Sequence, residues 1–145
     1  MNRCGSLLLG IGLALITACG GTQRDPPGIV TGRVTNNTKP VTDANIYFEK
    51  VGDDYAVFES LRADGTFQIK THDLGGLPAG SYRIAIRPDP GKATRLVGDA
   101  PDQLSHPLIP PACMNAQTSG LTVEVRVGEN PSFDFDLGKI NVGND

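Results

Sequence analysis

Tryptophan is missing from the 145 residues, and the chain holds only two histidines and three cysteines. Those few ligands form no closely spaced His and Cys set for zinc. Without tryptophan, the strongest cue for stacking against a sugar ring is also missing. Basic residues are scarce: 13 Lys and Arg against 16 Asp and Glu give a formal charge of −3. No clustered basic face makes an electrostatic case for nucleic acid. No Gly-rich phosphate loop, Gly-x-Ser-x-Gly elbow or His-Glu-x-x-His stretch occurs. There is no run of the roughly twenty apolar residues that a membrane-spanning helix needs. Beyond residue 18, no segment longer than about ten residues carries an apolar stripe at helical spacing.

What is present begins with Arg3 and an apolar stretch, Leu7–Ile16, too short to span a membrane and patterned like a secretory signal. It ends in Ile16-Thr17-Ala18-Cys19, which resembles the lipobox of bacterial lipoproteins. That resemblance implies cleavage before Cys19, diacylglyceryl transfer to its thiol and acylation of the new amine. Two or three acyl chains, at ~0.8 kcal/mol per buried CH₂, make a lasting membrane anchor. Gly20 and Gly21 follow Cys19 with no aspartate resembling an inner-membrane retention signal, so the outer membrane is the expected address. The expected organisation is a signal over 1–18, a lipidated Cys19 and tether over 19–27, and one domain over 28–145. Cleavage leaves about 127 residues, one domain's worth, with a charge of about −4. With Cys4 removed and Cys19 lipidated, Cys113 is the remaining thiol, so no intramolecular disulfide is expected. A buried, inert cysteine is the reading preferred for it.

The remaining chain reads as strands between turns. The 18 glycines and 11 prolines punctuate short segments of period two. Val30, Gly32 and Val34 share one face, with Thr31, Arg33 and Thr35 on the other. Ala44, Ile46 and Phe48 define a second strand, Tyr55–Arg62 a less regular third, and Phe67–Thr71 a fourth. Tyr82–Arg87 alternates almost perfectly. Leu121, Val123, Val125 and Val127 alternate in the next strand, and Phe133, Phe135 and Leu137 in the last. Asp64-Gly65 is expected to close a hairpin, and Gly128–Pro131 to join the last two strands as another. About seven strands of this kind predict an antiparallel β-sandwich.

The motif order is Gly32-Arg33-Val34, Pro40-Val41, Ala44-Asn45-Ile46, Asp64-Gly65-Thr66-Phe67 and Leu77-Pro78-Ala79-Gly80-Ser81-Tyr82-Arg83-Ile84. That set resembles the carboxypeptidase regulatory-like domain, a transthyretin-like (prealbumin-like) sandwich. In particular it is similar to small bacterial lipoproteins carrying this domain alone. Ile109-Pro110-Pro111, Thr118–Leu121 and Phe133–Leu137 are similar to their later segments, whereas Ala112–Gln117, with Cys113, departs from them. The resemblance implies a fold more than a chemistry, because these are turn and packing residues. Two enzyme groups share the broader architecture. The Tyr-Arg-Gly-Ser motif of hydroxyisourate hydrolases has no counterpart in Asn141–Asp145. The two-Tyr, two-His iron set of intradiol dioxygenases would need Tyr47, Tyr55, Tyr82, His72 and His106, which are not clustered.

Chemical candidates are few. His72-Asp73 is expected at a solvated strand exit, His106 precedes Pro107 in a long loop, and nothing around Cys113 suggests an activated Cys–His pair. Asp134 and Asp136 share a strand face and are expected to be solvated, not calcium ligands. No catalytic residue, metal or cofactor is expected. Tyr47 and Phe58 lie opposite their strands' core sides, which makes them the candidate contact residues, together with the loop from Pro88 to Gly120. The expected function is non-enzymatic: a lipid-anchored envelope protein with a structural or protein-interaction role. A carbohydrate- or peptide-binding module at the cell surface is the alternative, and an undetected hydrolase the remote one. The expected partners are the membrane and an envelope protein or glycan.

Overall fold

The computed structural model describes residues 27–71, 75–92 and 105–140. Among the described residues nine strands run in chain order: β1 (Gly28–Asn36), β2 (Lys39–Pro40), β3 (Ala44–Lys50), β4 (Ala56–Ser60), β5 (Thr66–Ile69), β6 (Gly80–Pro88), β7 (Thr122–Val125), β8 (Gly128–Glu129) and β9 (Phe133–Asp136). Short 3-10 turns sit at Pro111–Met114 and Leu137–Lys139. The strands form two sheets, one of order β4-β3-β6-β7 and one built around β1. The fold is an all-β sandwich.

Period-two alternation decides which side chains close it. Val30 and Val34 of β1, Ile46 and Phe48 of β3, and Ile84 and Ile86 of β6 are fully buried, as their alternation requires. Phe48 bridges the layers, with ring centroids 5.9 Å from Phe67 on β5 and 6.2 Å from Tyr82 on β6. Tyr82 is buried to its hydroxyl, which donates to the Pro78 carbonyl at 2.7 Å. That bond explains how a polar tip is tolerated inside.

Two expected hairpins take a different course. The Asp64-Gly65 turn forms: Gly65 has φ +77°, and Asp64 Oδ1 accepts from the Thr66 N–H at 3.0 Å and the Thr66 hydroxyl at 2.6 Å. The strands it joins do not pair with each other, however. β4 pairs with β3 in one sheet, and β5 pairs with β1 in the other. The same turn chemistry thus serves a switch between sheets.

Likewise Gly128–Pro131 does not make a hairpin. β7 runs antiparallel to β6, whereas β9 runs parallel to β1, with Gly32 opposite Phe133 and Val34 opposite Phe135. Asn130 enforces the departure from β7 by clamping Arg126: it accepts from the Arg126 N–H at 2.8 Å and donates to the Arg126 carbonyl at 2.9 Å. Val127, expected to face inward, is therefore 47% exposed on the crossing segment. The β1–β9 and β1–β8 ladders are the parallel pairings among otherwise antiparallel ones.

Gly32 is where β9 fits onto β1. A Cβ there would run into the Phe133 carbonyl oxygen and stand 2.6 Å from the Phe67 ring.

Candidate interaction face

The four-stranded sheet turns one face to the core and the other outward. On the outward face Tyr47 of β3 lies directly opposite Phe58 of β4. The bonds flanking this ladder, Leu61 N–H to Ala44 and Lys50 N–H to Tyr55, both 2.9 Å, set its parity. Tyr47 and Phe58 therefore form a non-hydrogen-bonded pair, the type whose side chains approach most closely. Their rings stack at 5.2 Å between centroids, inclined by 27°. Phe58 remains 58% exposed, the most exposed large apolar side chain among the described residues.

Arg87 of β6 ties this pair to the long loop. Its guanidinium carbon stands 4.6 Å over the Tyr47 ring, a cation–π contact. Its Nε donates to the Met114 carbonyl at 2.8 Å, and its Nη2 lies 3.6 Å from Glu49 Oε1. Nearby, Arg83 Nη1 donates to Gln117 Oε1 at 2.8 Å. Phe58, Tyr47, Arg87 and the segment around Met114–Gln117 thus share one face. An open depression of about 620 Å³ continues it toward the β3–β4 turn, lined among others by Glu49, Asp53, Ala56, Arg83 and Gln117. The two residues singled out from the sequence do come together. Nothing in the local pattern of Arg87 reveals a partner on a different strand, so its place on this face is legible only in the structure.

Of the long loop, residues 88–92 and 105–120 are described, and the latter pack down on β6: Ile109, Cys113, Ala116 and Ser119 are buried, and so is Ala85 on β6. Ser119 donates through its hydroxyl to the Ile84 carbonyl and accepts from the Leu121 N–H. Residues 93–104 lie outside the described residues.

The remaining candidates that fall among the described residues make local contacts. Cys113 is a free, fully buried thiol, and burial pushes its pKa up, away from the thiolate a nucleophile needs. His106 accepts the Leu108 N–H at Nδ1 over 3.1 Å, closing its own turn. His72, Asp73, Cys19 and residues 1–18 lie outside the described residues. Asp134 is exposed and accepts the Ser132 hydroxyl at 2.7 Å. Asp136 is more than a solvated carboxylate: it accepts from the Asn37 N–H at 2.9 Å and the Gly138 N–H at 3.2 Å, and Lys139 Nζ stands 3.5 Å away. Partial desolvation raises its pKa, but the two N–H donors and Lys139 outweigh that and leave it lowered. Among the described residues no three His, Cys, Asp or Glu side chains group to hold a metal ion. Nor is any described helix long and apolar enough to cross a membrane.

No family model matches the chain, and no curated protein or solved structure matches it.

Proposed function

We propose that this chain is a lipid-anchored protein of a bacterial cell envelope, held in the outer membrane by acylated Cys19. Its sandwich, of the carboxypeptidase regulatory-like type, acts by presenting a surface to an envelope protein and not by catalysis. The observation that carries the interaction reading is the convergence of Tyr47, Phe58 and Arg87 on the outward face of the four-stranded sheet. Aromatic rings and arginine are the side chains most enriched where interfaces bind tightly, and here the sheet and the 105–120 segment hold them in place. A second reading, a glycan ligand, draws support from the exposed Phe58 ring beside a depression lined by Glu49, Arg83 and Gln117. Carboxylate, guanidinium and amide groups there match the hydroxyls of a saccharide in hydrogen-bonding capacity.

Intact mass and membrane fractionation of the native protein beside Cys19→Ala test the anchor. An acylated mass in the membrane fraction, lost in the variant, is expected; a soluble, unacylated native chain would refute it. Photo-crosslinkers placed at Arg83 or Thr122, on the outward face, test the interaction. They are expected to trap a common partner that crosslinkers at Arg33 or Asp134, on the other sheet, do not. Equal trapping from both sheets would sink this reading. A partner that glycosidase treatment removes would favour the glycan.

A further inference from the structure

The edge of β4 carries an inference beyond that face. Among the described residues β4 is the terminal strand of its sheet, with β3 on one side and no strand on the other. The ladder parity set by the Leu61–Ala44 and Lys50–Tyr55 bonds directs the backbone groups of Val57 and Glu59 to β3. The N–H and C=O groups of Ala56, Phe58 and Ser60 therefore point off the open edge. Unpaired backbone groups in an extended strand are a template for another strand.

We infer that β4 pairs antiparallel with β4 of a second copy of this chain, about a two-fold axis passing through Phe58. The outward-pointing residues are symmetric about position 58, so Phe58 meets Phe58 and Ala56 meets Ser60, exchanging about six hydrogen bonds. This register fits the charges. Carried two residues past each end of β4, the register sets Arg62 of each copy against Asp54 of the other, and both side chains are exposed. Glu59, partly buried on the core side, falls directly opposite Val57, so no like charges stand directly opposite one another, and the two Glu59 side chains are diagonal neighbours. On the outward face the Phe58 rings become neighbours, extending the stack Tyr47–Phe58 into the second copy. A two-fold contact of this kind closes on itself and yields a dimer rather than a fibre. The pairing joins two four-stranded sheets edge to edge and places two copies of the Tyr47–Phe58–Arg87 face on one surface. It does not depend on the lipid anchor, which would only raise the local concentration.

Cysteine cross-linking of the full chain in intact cells tests the register. In a hydrogen-bonded antiparallel pair the facing Cα atoms stand about 5.5 Å apart, within the roughly 4.4–6.8 Å that a disulfide spans. Phe58→Cys is therefore expected to form a disulfide-linked dimer. Ser60→Cys alone is not, because its own symmetry mate lies more than about 13 Å away along the strand. The double variant Ala56→Cys with Ser60→Cys keeps Phe58 and is expected to cross-link at least about tenfold more than either single variant. Arg62→Asp is expected to weaken association of the otherwise native chain, and adding Asp54→Arg to restore it. Equal cross-linking at 58 and 60, or none in the double variant, would overturn the inference. So would cross-linking of position 58 to a different protein, because the edge would then take another chain.

Discussion

Phe48 and Phe58 sit on neighbouring antiparallel strands, yet truncating them should have very different consequences. Phe48 is fully buried between Phe67 and Tyr82. Phe48→Ala removes most of a ring from the contact between the sheets and leaves a void that flanking strands cannot fill without moving. Such changes cost about 3–5 kcal/mol, a large part of the ~5–15 kcal/mol that typically holds a domain folded. Phe58 is 58% exposed and has one aromatic neighbour, Tyr47. Phe58→Ala gives up that stacking and a cross-strand pair, about 1 kcal/mol. The measurement is urea unfolding followed by far-UV circular dichroism, taking the midpoint shift at constant slope as the change in stability. A loss of about 3 kcal/mol or more in Phe58→Ala that does not vary with protein concentration would mean that the ring serves folding within one copy, and the interaction face would lose its main support. Tolerance of Phe48→Ala would mean that the sheets do not close over this ring.

Three further outcomes are expected. Gly32→Ala should destabilise by at least the ~1–3 kcal/mol of an overpacked core, because the Phe133 carbonyl that blocks the new methyl is backbone held by the β1–β9 ladder; thermal unfolding of the variant would measure this, and a melting temperature at or above the native one would refute it. Cys113 should resist a maleimide in the folded protein and react once urea unfolds it, since the thiol is both buried and shifted up; stoichiometric labelling under native conditions would contradict the described packing. The lowered pKa of Asp136 means that around pH 4 the unfolded chain binds more protons than the native one. Its contribution is thus complete above the ordinary carboxylate range and lost as pH falls through the lowered native value. Asp136→Asn should leave a shallower fall in stability on the acid side, measured as the urea midpoint between neutral pH and pH 3, and an unchanged slope would refute the assignment.

Much of the strand pattern is legible in the chain because a half-buried strand must alternate. Ala44, Ile46 and Phe48, or Tyr82, Ile84 and Ile86, carry their core side in the spacing itself. Turn positions are legible for a similar local reason: Asp64-Gly65 and the region before Tyr82 need backbone conformations that few residues adopt. The Cys19 motif can be read only from the sequence, since it lies outside the described residues. Tyr47 and Phe58 are legible as candidates because each lies opposite the apolar side of its strand.

Which strand each segment joins was decided only by the tertiary structure. An Asp-Gly turn has the same local geometry whether its strands pair with each other or part to opposite sheets, and the two sheets compete for the same apolar faces. Closing the core over Phe48, Phe67 and Phe135 sends β5 to β1 and carries β9 across to the far side of β1. The burial of Cys113, the anchoring of the 105–120 segment on β6 and the placement of Arg87 over Tyr47 follow from that closure. Local spacing determines which side of a strand is apolar; it carries no information about the neighbour that side will meet, because that contact exists only after distant segments have been brought together.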